Sequence, residues 1–507
     1  MITLEKLEKY LWDSAVILRG LIDAASYKEY IFPLVFFKRI SDVQDEEYLQ
    51  HFQEAVDMGS DEADAHEYAQ GQMENSSIQI PDGAHWNDVF NITEDLGQKL
   101  KEAFNAIERA NPAKKIDGRF VGGLEGVFGD KNIWTNKTKM PDATIRALLN
   151  HYNSLTLNLA ECPADEMGTG YEYLIGQFAD DAGHTAQEFY TNRTVVELMA
   201  EILQLQPGES IYDPTCGSGG MLIKSLTYLK DKGQEWRDVK VYGQELNADT
   251  SAIARMNCYL HGVNEFSIVN ADTLENPAFI KNGKVQQFDV VLANPPYSIS
   301  AWNREMFAHD KYGRCFLGVP PQRFADYAFV QHIIASMSND TGRSATLLPH
   351  GVLTRTGEES QIRQKLVEND LVDCVISIGK NLFFNSAMEA CILICRTNKE
   401  ETKKGKVLFI RATDLVVRNG NESWLSQEHI AKISNLYWNY TDEIDYATTA
   451  TLDDIKENDF SIQPGRYVKR SSASCDCDDI SALCVNWEES SNLAKIEIEN
   501  LSKLINQ

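Results

Sequence analysis

No stretch of the 507-residue chain is both apolar and uncharged for the roughly twenty residues that a membrane-spanning helix needs. The start, Met1-Ile2-Thr3-Leu4-Glu5-Lys6, also lacks a basic segment leading into an apolar one, so a cytoplasmic protein without a membrane partner is expected. CxxC pairs are missing. The ten cysteines are scattered, and the closest spacings, Cys475/Cys477 and Cys391/Cys395, have no second pair to complete a zinc site. Reduced, mostly buried thiols are expected instead. There is no histidine pair at ligand spacing and no nucleophile elbow, so neither a metal nor a covalent nucleophile is expected; His184, His261, His332 and His350 read as surface or core residues. Positive charge is scarce: 48 basic against 75 acidic residues give a formal net charge of -27. Such a surface repels polyanions, so any contact with a phosphate backbone must be local or supplied by a partner.

What is present is an ordinary globular composition, 43% hydrophobic and 24% charged, in a chain too long for a single core. From Leu4 to about residue 150, apolar residues such as Leu7, Tyr10, Leu11, Ala15, Leu18 and Leu21 recur at helical steps. The apolar run at 30–40 is short and followed by Lys38 and Arg39, which suits a core helix, and the acidic stretch 57–74 suits a solvated loop or exposed helix face. After Gly170 short β-branched runs alternate with helical stretches, the pattern of a parallel sheet with helices on its faces. Strands are predicted at 210–212, 239–243, 267–269, 289–293, 344–348, 373–378 and 391–395, with 406–412 as an additional candidate and crossover helices at 221–230 and 251–261. The expected class is α/β, with a doubly wound domain at 156–470, an all-helical domain before it at 1–155 and a short helical tail at 471–507. Ligands of such a sheet bind beyond the carboxyl ends of its strands.

The first predicted strand runs into Asp213-Pro214-Thr215-Cys216-Gly217-Ser218-Gly219-Gly220. Glycines at a strand-to-helix turn permit positive φ and close approach of a ligand to the backbone. The lysine and spacing of a P-loop are absent, which argues against a triphosphate. Glu245 and Asp272 stand just past the second and third strands, where one carboxylate can accept the hydroxyls of an adenosine ribose and the other can bond the adenine amine. Helix capping is the competing role for each. Three acids on successive strand ends fit a cationic, phosphate-free nucleoside better than a dinucleotide.

At the end of the fourth strand stands Asn294-Pro295-Pro296-Tyr297. The N6 lone pair of adenine is delocalised into the ring and attacks poorly. The side-chain oxygen of Asn294 and the carbonyl of Pro295 can each accept one N6 hydrogen, favouring a tetrahedral nitrogen that attacks a sulfonium methyl in line. Two prolines fix φ and so hold that carbonyl in place in advance. Tyr297 offers a face for an extruded base.

With these residues the chain resembles the modification (methyltransferase) subunit of bacterial type I restriction-modification systems, among the N6-adenine DNA methyltransferases. The likeness spans nearly the whole chain: the segment from Leu7-Glu8-Lys9-Tyr10-Leu11-Trp12 to Phe37-Lys38-Arg39-Ile40-Ser41-Asp42, then Tyr171-Glu172-Tyr173-Leu174-Ile175, and Glu188-Phe189-Tyr190-Thr191-Asn192-Arg193, with Asn192 where proline is usual. Leu348-Pro349-His350-Gly351-Val352-Leu353 and Asn381-Leu382-Phe383-Phe384-Asn385 also resemble family segments, the latter followed by Met388-Glu389 in place of small residues. The resemblance implies S-adenosyl-L-methionine as cofactor, held by Glu188 to Arg193, Asp213, Thr215, Gly217 to Gly220, Glu245 and Asp272. It further implies double-stranded DNA as substrate and a separate specificity subunit that chooses the site, flanked by two methyltransferase copies, with a restriction subunit as an optional further partner. Two competing readings stay open from the residues: methylation of a protein glutamine, whose enzymes share the Asn-Pro-Pro-Tyr tetrapeptide, and a catalytically silent subunit that binds cofactor and scaffolds an assembly.

Overall fold

The structure is a computed structural model that describes residues 1–116, 119–181, 191–380, 382, 389–419 and 422–471. The expected tail helices, apart from Ser471, lie outside the described residues, as do His184, Glu188, Phe189, Tyr190, Asn381, Phe383, Phe384, Asn385 and Met388.

The first third is helical: α1 (Leu4–Leu18), α2 (Tyr27–Asp57), α3 (Glu62–Met73), α4 (Trp86–Phe90), α5 (Leu96–Ala110) and α6 (Asp142–Tyr152). The apolar run at 30–40 lies within α2 and is buried throughout. Pro33 removes a ladder hydrogen bond there, a cost of roughly 3 kcal/mol, offset by burial of Ile31, Phe32, Leu34, Val35, Phe36 and Phe37. The polar residues behind the run are buried too: Lys38 pairs with Asp42 at 2.5 Å, Asp42 accepts the Leu157 amide at 2.6 Å, and Arg39 donates to the Asn158 and Cys162 carbonyls. They stitch α2 to the turn at 157–162 and leave few backbone groups there unpaired. α3 occupies the acidic stretch and buries only Ala65 and Ala69.

Two further helices, α7 (Ala164–Asp181) and α8 (Arg193–Leu203), lead into a sheet built from β1 (Ser210–Asp213), β2 (Lys240–Glu245), β3 (Phe266–Asn270), β4 (Val290–Ala293), β5 (Arg343–Pro349), β6 (Val372–Ile378), β7 (Ala390–Arg396), β8 (Lys406–Ala412) and β9 (Ala447–Thr451). Its order is β3-β2-β1-β4-β5-β7-β6-β8-β9. The crossover helices expected between the first three strands are α9 (Gly220–Asp231) and α10 (Ala248–Leu260). A wholly parallel sheet is not what forms: β7 runs antiparallel to both β5 and β6, and β9 antiparallel to β8. Strand direction is not encoded in an all-buried run such as residues 390–395, and the short link from β6 leaves no room for the crossover that a parallel partner needs. Strand order reverses between β1 and its neighbours β2 and β4, which places a crevice at the carboxyl ends of β1 and β4.

Side chains alternate across the sheet. Ile211, Leu347 and Ile376 enter the core on one face, and Tyr212, Leu348 and Val375 that on the other. A third core fills the helical lobe, and it extends past the last helix of that lobe: Met167, Tyr171, Leu174 and Phe178 of α7, with Met256 and Leu260 of α10, belong to it. Among the described residues no helix is long and apolar enough to cross a membrane. Six of the seven described cysteines are buried and all are free thiols.

Candidate active site

At the crevice lies a cavity of about 350 Å³, within the usual range for small-ligand sites. The glycine turn after β1 forms its floor: Asp213, Thr215, Gly217, Ser218 and Gly220 line it, with Gly219 completing the turn as the residue that caps α9 at φ 81°. Gly217 also has a positive φ, 54°, which a side chain would strain. Asp213 accepts the Thr215 amide at 2.9 Å, and Cys216 donates its amide to the Gln244 carbonyl at 2.9 Å. From α10, Asn257 donates to the Ser218 carbonyl at 3.0 Å, and Thr273 hydroxyl donates to the Pro214 carbonyl at 2.5 Å. These last two residues hold the turn from outside it, and nothing within the glycine motif reveals them.

Asn294, at the end of β4, lines the same cavity. Its Nδ2 donates to Thr191 Oγ at 3.0 Å, and its Oδ1, buried, has no hydrogen-bond partner among the described residues. Among the described residues, Asp213 Oδ2 and Thr215 Oγ are also buried with no hydrogen-bond partner of good geometry. Unsatisfied buried oxygens are costly and mark places where a ligand's donors complete the hydrogen bonding. Asp213 has no exposed surface, and burial pushes its carboxyl up to about 8. The remainder of the tetrapeptide follows directly: Pro295 is buried, and Pro296 and Tyr297 are half-buried.

Beyond Tyr297 the chain turns through Ser298 in the left-handed region, φ 53°. The turn is clamped: fully buried Asp326 accepts the Ser298 amide at 2.9 Å, and Arg355 bridges Asp326 at 2.8 Å and Ser298 Oγ at 3.1 Å. Asp326 and Arg355 come from distant elements and were not singled out from sequence.

The strand-end acids divide. Glu245 accepts the Gly217 amide at 3.0 Å and the Asn247 amide at 2.8 Å, so it holds the glycine turn against the start of α10. Asp272 accepts the amides of Leu274 and Glu275 at 2.8 and 3.0 Å, a capping arrangement. Neither is among the residues lining the cavity. Asn192, standing where proline is usual, caps α8 by accepting the Thr194 amide at 3.0 Å and donates to the Ser423 carbonyl at 2.9 Å. Arg193 lies at the cavity wall with Nη2 3.5 Å from Glu172.

That wall is α7. Asp165, Thr169, Glu172 and Ile175 face the cavity from a helix whose apolar side belongs to the helical lobe. His261 stands across from it, 3.9 Å from Glu172 and bonded through Nδ1 to the Asn257 carbonyl at 3.0 Å; burial lowers its pKa. It is a cavity residue, whereas His332 sits in the core between Tyr212 and Arg314. Among the described residues no group of three or more His, Cys, Asp or Glu side chains is arranged to hold a metal ion.

Comparison with known proteins gives one consistent result. Residues 163–476 match the family described as N-6 DNA methylase, and residues 7–151 match the HsdM N-terminal domain. The chain is 30% identical to the type I restriction enzyme MpnII methylase subunit of Mycoplasma pneumoniae, over 91% of this chain and 89% of that protein. It is 31% identical to the HindI methylase subunit of Haemophilus influenzae, over 78% and 86%. The crystal structure of the methyltransferase subunit of a type I restriction-modification system from Streptococcus thermophilus matches with a TM-score of 0.76 at 30% identity, covering 92% of this chain and 100% of that one.

Proposed function

The chain belongs to the N-6 DNA methylase family as a type I restriction-modification methylase subunit, an adenine-specific DNA methyltransferase, and from that premise we propose how its residues divide the work. S-adenosyl-L-methionine, when bound, supplies an electrophilic methyl on a sulfonium. Asp213, Thr215 and the turn from Gly217 to Gly220 hold it, because the buried oxygens at this turn lack donors and a carboxyl pushed up by burial is returned to its ionised form by a cation. Thr191 and Arg193, which line the cavity, complete the enclosure, Thr191 through its contact with Asn294, and Glu188, Phe189, Tyr190 and Asn192 of the same segment are assigned to cofactor binding by the family resemblance. Glu245, which braces the Gly217 turn, serves the ribose, and Asp272, at the end of the next strand, serves the adenine ring.

The single observation that carries the reading is the partnerless Oδ1 of Asn294, in the same cavity as Asp213. An acceptor already in position, with its amide nitrogen tied to Thr191, takes a hydrogen from the target N6 amine without reorganising. The Pro295 carbonyl takes the second hydrogen, and Tyr297 stacks on a base extruded from the duplex. Asp326 and Arg355 act through Ser298 as positioning residues for this segment. The helical domain at 1–155 closes on DNA, the domain at 156–470 performs the transfer, and the tail at 471–507 meets a specificity subunit. That subunit, flanked by two copies of this chain and optionally joined by a restriction subunit, chooses the target site, in keeping with a net charge of -27.

Asn294→Ala tests the assignment. The variant should bind S-adenosylmethionine as the wild type does in calorimetry, because the glycine turn is untouched, and its complex should lose methyl transfer by at least 100-fold. Full transfer by that variant refutes the role of Asn294. A wild-type complex that methylates no DNA identifies a silent scaffold.

A further inference from the structure

At the opposite end of the sheet from the cofactor cavity lies a larger groove of about 1360 Å³, running beneath the starts of β1, β2 and β4, where Ser210, Lys240 and Asp289 line it. Its walls are two hairpins, Lys114–Ile116 with Arg119–Val121 and Ile280–Lys281 with Lys284–Val285, together with the loop that carries Tyr312 and Phe316. The first hairpin is anchored to β3, since the Gly122 amide donates to the Phe266 carbonyl at 2.7 Å and Ser267 donates to the Phe120 carbonyl at 2.6 Å.

The charge here runs against that of the whole chain. Among the described residues, Arg119, Lys240, Lys281 and Lys284 line the groove against one acid, Asp289, whose carboxylate is already engaged by Ser210 and Thr341. The three lysines are exposed, and none has an ion-pair partner among the described residues. Arg119 reaches Glu265 at 3.4 Å through Nη2, while its buried Nη1 has no hydrogen-bond partner among the described residues. Where acids outnumber bases 75 to 48, cations left unpaired around one concavity form a local anion-attracting field. Apolar rings stand beside them: Phe120 is 65% exposed and Phe316 43% exposed.

Cations that track phosphates, interleaved with exposed ring faces, are the two elements of a sequence-tolerant single-strand binding surface. We propose that this groove binds single-stranded nucleic acid, its phosphates over Lys240, Lys281 and Lys284 and its bases stacked on Phe120 and Phe316, at a site separate from the methyl-transfer cavity. A duplex keeps its bases stacked on one another, so its phosphates engage the lysines and leave the rings idle. An acidic polypeptide does the same, and the rings therefore decide between the occupants.

The test uses the full chain saturated with S-adenosylmethionine and a fluorescein-labelled oligothymidylate, which carries no adenine for the catalytic site, followed by anisotropy at low salt. Wild type should bind it, and Lys281→Glu with Lys284→Glu should weaken binding at least tenfold and reduce its salt dependence. Phe120→Ala should weaken it about fivefold, the lower end of what one base–aromatic stack contributes. Asn294→Ala should leave it unchanged, and unaltered cofactor binding in each variant shows an intact fold. Wild-type affinity in the double charge reversal overturns the proposal. So does efficient displacement by polyglutamate combined with no effect of Phe120→Ala, which assigns the groove to an acidic polypeptide.

Discussion

At the end of β1 a carboxyl with no exposed surface, Asp213, is raised to about 8, first by burial, with the Thr215 amide pulling down and nearby Glu245 pushing up. Its folded value exceeds the unfolded one, near 4. The folded chain therefore binds the extra proton, and this group makes the ligand-free protein less stable as pH rises from about 4 to about 8. Asp213→Asn should raise the ligand-free Tm by several degrees at pH 8, an advantage that fades toward pH 4. The same substitution should weaken S-adenosylmethionine binding more than tenfold. It should also abolish a feature of the wild type, an affinity that climbs with pH and levels off above about 8. Paired thermal melts and calorimetric titrations check both; a variant that is less stable at pH 8 contradicts the buried, unpaired carboxyl. The tetrapeptide and the glycine turn were legible because their chemistry is local. Asn257, Thr273, Asp326 and Arg355 were not, since each acts on the site through hydrogen bonds or ion pairs across at least 28 residues of chain.

Among the elements, α7 is packed so closely that a Cβ on either of two of its glycines would meet a neighbouring side chain. A Cβ on Gly168 would lie 2.4 Å from the His261 ring, and one on Gly170 would lie 2.9 Å from Leu7 Cδ2 of α1. The two contacts predict different outcomes. Gly168→Ala forces a rigid ring on the cavity wall to move and should raise the Kd for S-adenosylmethionine at least tenfold. Gly170→Ala meets the end of a flexible leucine and should leave the Kd within about twofold, with a stability change of about 1 kcal/mol or less, because the clash and the helix-propensity gain offset one another. Equal Kd values for both variants contradict the assignment of α7 as a cavity wall. Strand positions were readable from sequence for the same reason that direction was not: apolar β-branched runs report burial on both faces but not polarity, so β7 reads like its parallel neighbours. β9, Ala447-Thr448-Thr449-Ala450-Thr451, escaped notice because it is an edge strand of alanine and threonine with little apolar contrast.

Taken whole, the molecule is an acidic body that acts on a polyanion. The free chain should bind duplex DNA only weakly at physiological salt, and sequence preference should appear only when its partner subunit is added, as mobility-shift titrations at two salt concentrations would show. Nanomolar, sequence-specific binding by the chain alone would contradict delegated recognition. The helical lobe at 1–155 shares its core with a wall of the cavity. Met167, Tyr171, Leu174 and Phe178 are covered by the helical core while Glu172, on the same helix, faces the cavity. A gene cut at residue 155 should thus yield a fragment with a greasy flank in water and one side of its chamber unsupported.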